Sequence, residues 1–167
     1  MRTLQGDHDG SSLRIGVVVS RFNESVTGAL LEGALEGLEE AKVPSDAVTV
    51  ASVPGAFELA GTAGRLAATG AVDAVICIGA VIRGQTDHFT FVAAAAQEGI
   101  LRVSLDTGIP IIFGVLTTDD YEQAEDRAGG AAGNKGYESA LDAVEMANLY
   151  RLIAPGSGES AGPADIR

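Results

Sequence analysis

The sequence predicts one doubly wound α/β domain, with a four-stranded parallel core sheet and helices on both faces. Three observations carry that expectation. Four short β-branched apolar runs alternate with longer stretches in which apolar residues recur every three or four positions. Each intervening stretch is long enough for a helical crossover, which makes neighbouring strands parallel and their connections right-handed. The 167 residues, 46% of them hydrophobic, show no composition break and no internal repeat, as one core would require.

Met1 to Ser12 (MRTLQGDHDGSS) is polar and aperiodic, so it reads as an arm or a loose tail with His8 on the surface. The domain proper is expected over 13–154. Leu13 to Ser20 (LRIGVVVS) is the first buried strand, and Arg21-Phe22-Asn23 a turn, with Asn23 or Ser25 placed to cap the next helix. That helix shows Val26, Leu30, Ala34, Leu38 and Ala41 along one face, while Gly28, Gly33 and Gly37 point to close packing. Pro44 to Asp46 breaks it, and Ala47 to Val53 is the second strand. A Leu- and Ala-rich helix follows from about Phe57 to Thr69.

Ala74 to Ile82 (AVICIGAVI) is the third strand, and Thr86-Asp87-His88 opens a helix running towards Thr107. The fourth strand is Ile111 to Thr117. Asp119 and Glu122 have capping-box spacing for a short helix that stops at Gly129-Gly130. Asn134 caps a last helix from roughly Lys135 to Leu152, with Leu141, Val144, Ala147 and Leu152 towards the core. The final stretch, 155–167, is rich in Gly, Pro and Ser and is expected to be disordered.

A formal net charge of -12 makes nucleic acid and anionic membranes poor partners, and neither is expected. Any anionic ligand must then be drawn by local positive charge, because fields are screened beyond ~8 Å at physiological salt. Cys77, the single cysteine, rules out an internal disulfide and sits mid-strand as a small buried hydrophobe. With no signal peptide and no run long enough to span a bilayer, a cytoplasmic protein is expected. No His/Cys cluster exists and the acids are scattered, so no metal site is expected.

In such a domain ligands gather at the carboxyl ends of the strands. Phe22, Phe57 and Phe89 lie just past the ends of strands one, two and three, as stacking on a planar ring would require. Helix starts that tuck aromatics beneath a neighbour would give the same pattern. Arg83-Gly84-Gln85-Thr86 fits a phosphate cradle at a helix N-terminus, or an ordinary turn capped by Thr86. Arg127 and Lys135 flank the link AGGAAGN and offer positive charge, Arg through its planar fork. His88 has the side chain suited to proton transfer near neutral pH, and Glu58 can accept hydrogen bonds from sugar-like hydroxyls or serve only the helix dipole.

Seven blocks, SRFNE (20–24), PGAFELA (54–60), GAVIRGQTDHF (79–89), FGVLTTD (113–119), RAG (127–129), GNKGYE (133–138) and EMANL (145–149), together resemble the lumazine synthase family over nearly all of Leu13 to Leu152. The resemblance implies a flavodoxin-like fold and a cofactor-free transferase of riboflavin biosynthesis. Its substrates would be 5-amino-6-(D-ribitylamino)uracil and 3,4-dihydroxy-2-butanone 4-phosphate. By position, Phe22 would stack on the pyrimidine; Ala56, Phe57 and Glu58 would line its site, with Glu58 on the ribityl hydroxyls. Ala80, Val81 and Ile82 would meet ring and side chain. Gln85, Thr86 and Arg127 would take the phosphate, Lys135 would lie near a pyrimidine carbonyl, and His88 would donate the proton. Phe113 would arrive from a neighbouring subunit. Asp87 stands where a neutral Thr or Pro is common, and Thr90 where an acid is frequent.

Family members form pentamers, and the short link between Arg127 and Lys135 resembles those whose pentamers build icosahedral shells, with riboflavin synthase a possible enclosed partner. An archaeal-type riboflavin synthase and a non-catalytic flavin-binding shell protein are the alternative readings.

Overall fold

The computed structural model describes residues 1–154; the expectation for 155–167 lies outside the described residues. Along the chain run β1 (Ile15–Ser20), α1 (Glu24–Glu40), β2 (Val48–Val53), α2 (Leu59–Ala68), β3 (Ala74–Ile82), α3 (His88–Thr107), β4 (Ile111–Thr118), α4 (Tyr121–Asp126), the short strands β5 (Ala128–Gly130) and β6 (Gly133–Asn134), and α5 (Lys135–Ile153). The main sheet has the order β2-β1-β3-β4, all parallel, with Ile15 opposite Val48 and Ala74. This is the expected doubly wound fold.

Two apolar layers sandwich the sheet. Ile15, Val17, Ile76 and Ile78 face α1 and α5, against Leu30, Leu38, Ala140 and Val144. Val18, Val75, Cys77 and Val115 face α2 and α3, against Leu59, Ala63, Ala96 and Ile100. Strands buried on both faces read as unbroken apolar runs, which is why β1 and β3 stand out in the sequence. β2, at the sheet edge, is partly exposed.

Several local expectations change. Asp120, not Asp119, caps α4: its Oδ1 accepts from Gln123 N at 2.8 Å, because Asp119 is held by Arg83. That helix ends at Asp126, before the glycines, and the link to α5 is the antiparallel β5–β6 pair. Glycine and alanine carry no alternation for the eye to find there. The second helix starts with a 3-10 turn, Ala56–Glu58. Leu152 is exposed rather than inward, and Ala140 and Ala143 take the inner face of α5.

Asn134 does cap α5, its Oδ1 accepting from Gly136 and Tyr137 N–H while its Nδ2 donates to Ala29 O on α1. Gly136 is needed here, since a Cβ would collide with the Leu30 carbonyl. The N-terminal residues pack along α5. Asn148 Nδ2 donates to Asp7 O, Asp7 Oδ1 and Asp9 O, and Arg151 bonds Ser12. His8, exposed, lies 3.4 Å from the Glu145 carboxylate. Among the described residues no helix is long and apolar enough to cross a membrane.

Candidate functional site

The sheet order reverses between β1 and β3, and in doubly wound folds the crevice outside that switch point is where ligands bind. A cleft of about 600 Å³ opens there. Its walls come from three strand ends: Phe22 after β1, Pro54 to Glu58 after β2, and Ala80 to Ile82 with Gly84, Thr86, His88, Phe89 and Val92 from β3 into α3. The size and the largely apolar lining suit a small organic molecule.

Phe22 and Phe57 are 70% and 65% exposed on the cleft rim. Leaving two large aromatic rings in water forgoes burial worth roughly 1.5–3 kcal/mol each. The alternative in which these rings are tucked under a neighbour is therefore not what forms at Phe22 and Phe57, whereas Phe89 is half-buried. The entrance to α1 is set by Asn23, in the left-handed region at φ 60°. It makes no side-chain cap; its Nδ2 instead donates to Ala80 O at 2.9 Å, tying the Phe22 turn to the cleft floor.

Glu58 has a structural duty. Its Oε2 accepts from Gly55 N at 2.9 Å, closing the turn after β2, and it also lines the cleft. Beneath the cleft, the buried Ser20 hydroxyl at the end of β1 has no hydrogen-bond partner among the described residues.

Residues 84–87 connect β3 to α3 and stay exposed. Asp87 occupies the cap position of α3 without a side-chain cap, and Thr86 does not cap either. Among the described residues the N–H groups of Gln85 and Thr86 find no protein acceptor. These free N–H groups lie in the turn just ahead of the 20-residue α3, and with the positive end of the helix dipole they form an anion-attracting corner. His88, the first residue of α3, is exposed and shares the cleft with that corner.

The structure thus gathers Phe22, Ala56, Phe57, Glu58, Ala80, Val81, Ile82, Thr86 and His88 around one cleft, with Gln85 in the adjoining turn. It leaves Phe113, Arg127 and Lys135 outside. Phe113 pairs with Cys77 near the start of β4 and lines a separate groove of about 460 Å³ with Arg83, Phe89, Asp119 and Gln123. Arg127 Nη1 donates to Gln123 O at 3.1 Å, and Lys135 Nζ lies 3.2 Å from Glu138 Oε2. Arg127 and Lys135 do meet each other: Lys135 N donates to Arg127 O at 2.8 Å across the β5–β6 link.

Sequence reasoning missed the roles of Asn23 and Arg83. Asn23 looked like a cap because cap residues and left-handed residues share the same amino-acid types. By sequence Arg83 groups with the turn that follows it, but its side chain turns to Asp119. Among the described residues no three His, Cys, Asp or Glu side chains converge to hold a metal ion. Compared with known protein families, residues 12–151 match the family model described as 6,7-dimethyl-8-ribityllumazine synthase.

Proposed function

The chain belongs to the 6,7-dimethyl-8-ribityllumazine synthase family, and from that premise we propose that it condenses 5-amino-6-(D-ribitylamino)uracil with 3,4-dihydroxy-2-butanone 4-phosphate. The products are 6,7-dimethyl-8-ribityllumazine, phosphate and water. One observation carries the proposal: an apolar cleft with two exposed phenylalanines ends at an uncapped helix N-terminus bearing His88. A planar heterocycle and a phosphate are the two things such a cleft can hold together.

In this reading Phe22 stacks on the pyrimidine, Ala56 and Phe57 flank it, and Glu58 accepts from the ribityl hydroxyls while keeping its bond to Gly55. Ala80, Val81 and Ile82 form the floor. The N–H groups of Gln85 and Thr86 receive the phosphate. The pyrimidine's amine attacks the ketone carbon, and water leaves to give an imine. His88 moves protons as the phosphate is expelled, and ring closure releases water again. Holding both reactants in line accounts for a large share of the rate, up to ~7–11 kcal/mol in well-oriented systems. General acid–base catalysis adds a factor of roughly 10²–10⁴.

We also propose that the working unit is a homo-oligomer, built of pentamers that assemble into a shell. Phe113, Arg127 and Lys135 lie outside the cleft of their own chain, and a neighbouring copy is the natural source of an aromatic and of phosphate-binding cations. The outer stripe of α3 supports the same view, with Phe91, Leu101 and Leu105 exposed at 71%, 53% and 75%.

Mixing the purified protein with the two substrates, and following lumazine absorbance and fluorescence, tests the reaction. Product well above the uncatalysed background is expected. A background rate from a folded, assembled sample would overturn the proposal and leave a ligand-binding shell. Conversion of added lumazine to riboflavin would identify a riboflavin synthase instead.

A further inference from the structure

We propose that Arg83 is a positioning residue for phosphate: it ties the turn before His88 to the segment carrying Arg127. The inference rests on the reading that Gln85, Thr86 and Arg127 take the substrate phosphate.

The turn at 84–87 has little else to fix it. Among the described residues no side chain caps α3, and a Cβ built on Gly84 would meet nothing within 4 Å. Arg83 closes the turn from both sides. Its backbone N–H donates to Thr118 O at 2.9 Å, extending the β3–β4 ladder to the turn's first residue. Its guanidinium carbon lies 4.2 Å from the ring centroid of Phe89, just past the turn's end. Phe89 lines both the cleft and the groove behind it, so its ring is the wall through which Arg83 acts on the site.

The same guanidinium continues away from the cleft. Arg83 Nε donates to Asp119 Oδ1 at 2.7 Å, Asp119 N donates to Gln123 Oε1 at 3.3 Å, and Gln123 O accepts from Arg127 Nη1 at 3.1 Å. A continuous path therefore runs from Phe89 through Arg83, Asp119 and Gln123 to Arg127. It holds whether Arg127 serves its own cleft or a neighbour's. Arginine is required because its planar group can stack on a ring face while donating in its own plane, which a lysine ammonium cannot do.

Position and charge make opposite predictions. If Arg83 acted as a field source, neutralising its partner with Asp119→Asn would release positive charge and tighten phosphate. If it acts by position, Asp119→Asn loosens the path and weakens phosphate. Two measurements decide: titration calorimetry with inorganic phosphate, which needs no turnover, and steady-state kinetics with each substrate varied. Arg83→Lys and Asp119→Asn are each expected to weaken phosphate about fivefold, a loss in the range of a cation–π contact. The KM of the butanone phosphate should rise equally, and that of the ribitylaminouracil should stay within about twofold. Tighter phosphate in Asp119→Asn, unchanged phosphate in both variants, or a parallel rise in both KM values would each overturn the inference. A parent protein that makes no lumazine would instead overturn the functional reading beneath it.

Discussion

At the scale of single residues, the site combines groups whose roles separate by experiment. His88 is exposed, lines the cleft and, among the described residues, supports no other part of the fold through a side-chain hydrogen bond. Exchange of His88 for Ala should therefore lower kcat by about 10²-fold while ligand affinity, read by fluorescence titration of the lumazine, changes little. Unchanged turnover would remove His88 from the mechanism. Cys77 shows the opposite case, a reactive group that the fold silences. Burial pushes its thiol from the ordinary 9.0 up to about 12. The unfolded chain thus loses this proton first as pH rises. The contribution to stability is complete below about pH 9 and declines as pH climbs towards 12. Denaturation midpoints taken from pH 8 upward should fall more steeply for the parent than for Cys77→Ala. Parallel curves would show that the thiol titrates alike in both states.

Elements place those residues, and here the limits of the sequence become physical. β1 and β3 are legible because burial on both faces demands unbroken apolar runs, the more exposed β2 and β4 through their β-branched residues, and most of the cleft follows from where the strands end. The α4 cap sits one residue beyond its expected place, because Asp119/Glu122 and Asp120/Gln123 have the same spacing. A tertiary ion pair with Arg83 decided between them. Phe113, Arg127 and Lys135 lie outside the cleft that the family resemblance assigns them to, and no rule of local spacing carries that information. The joint between α1 and α5 leans on one side chain. Asn134 caps α5 and satisfies Ala29 O on α1 together. Loss of a cap costs about 0.5–2 kcal/mol, and an orphaned carbonyl about 1 kcal/mol more. Asn134→Ala should thus destabilise the fold by about 2 kcal/mol in urea unfolding, and a loss below about 0.5 kcal/mol would refute the joint's importance.

At the scale of the whole molecule, the chain presents an acidic body with an apolar stripe on α3 and a cleft short of cations. A net charge of -12 opposes self-association at long range, so the proposed oligomer has to form through apolar contact and local charge pairs at short range. Light scattering at near-physiological salt should therefore report an assembly much larger than a 17.0 kDa chain. Particles of shell size are expected, and lowering the salt should shift mass towards smaller species. Free pentamers across a range of salt and pH would reject the shell, and monomers alone would reject the shared site.

The seating of the first residues against the last helix has a consequence for how the chain is made. Asn148 holds Asp7 across 141 positions of sequence, so a ribosome releases one partner long before it releases the other. The segment around Asp7 can dock only once the α5 residues that it meets have been made. A nascent chain carries this stretch unseated until α5 has emerged. Tying Asp7 to Asn148 thus adds its stability only after all four strands of the main sheet have been synthesised.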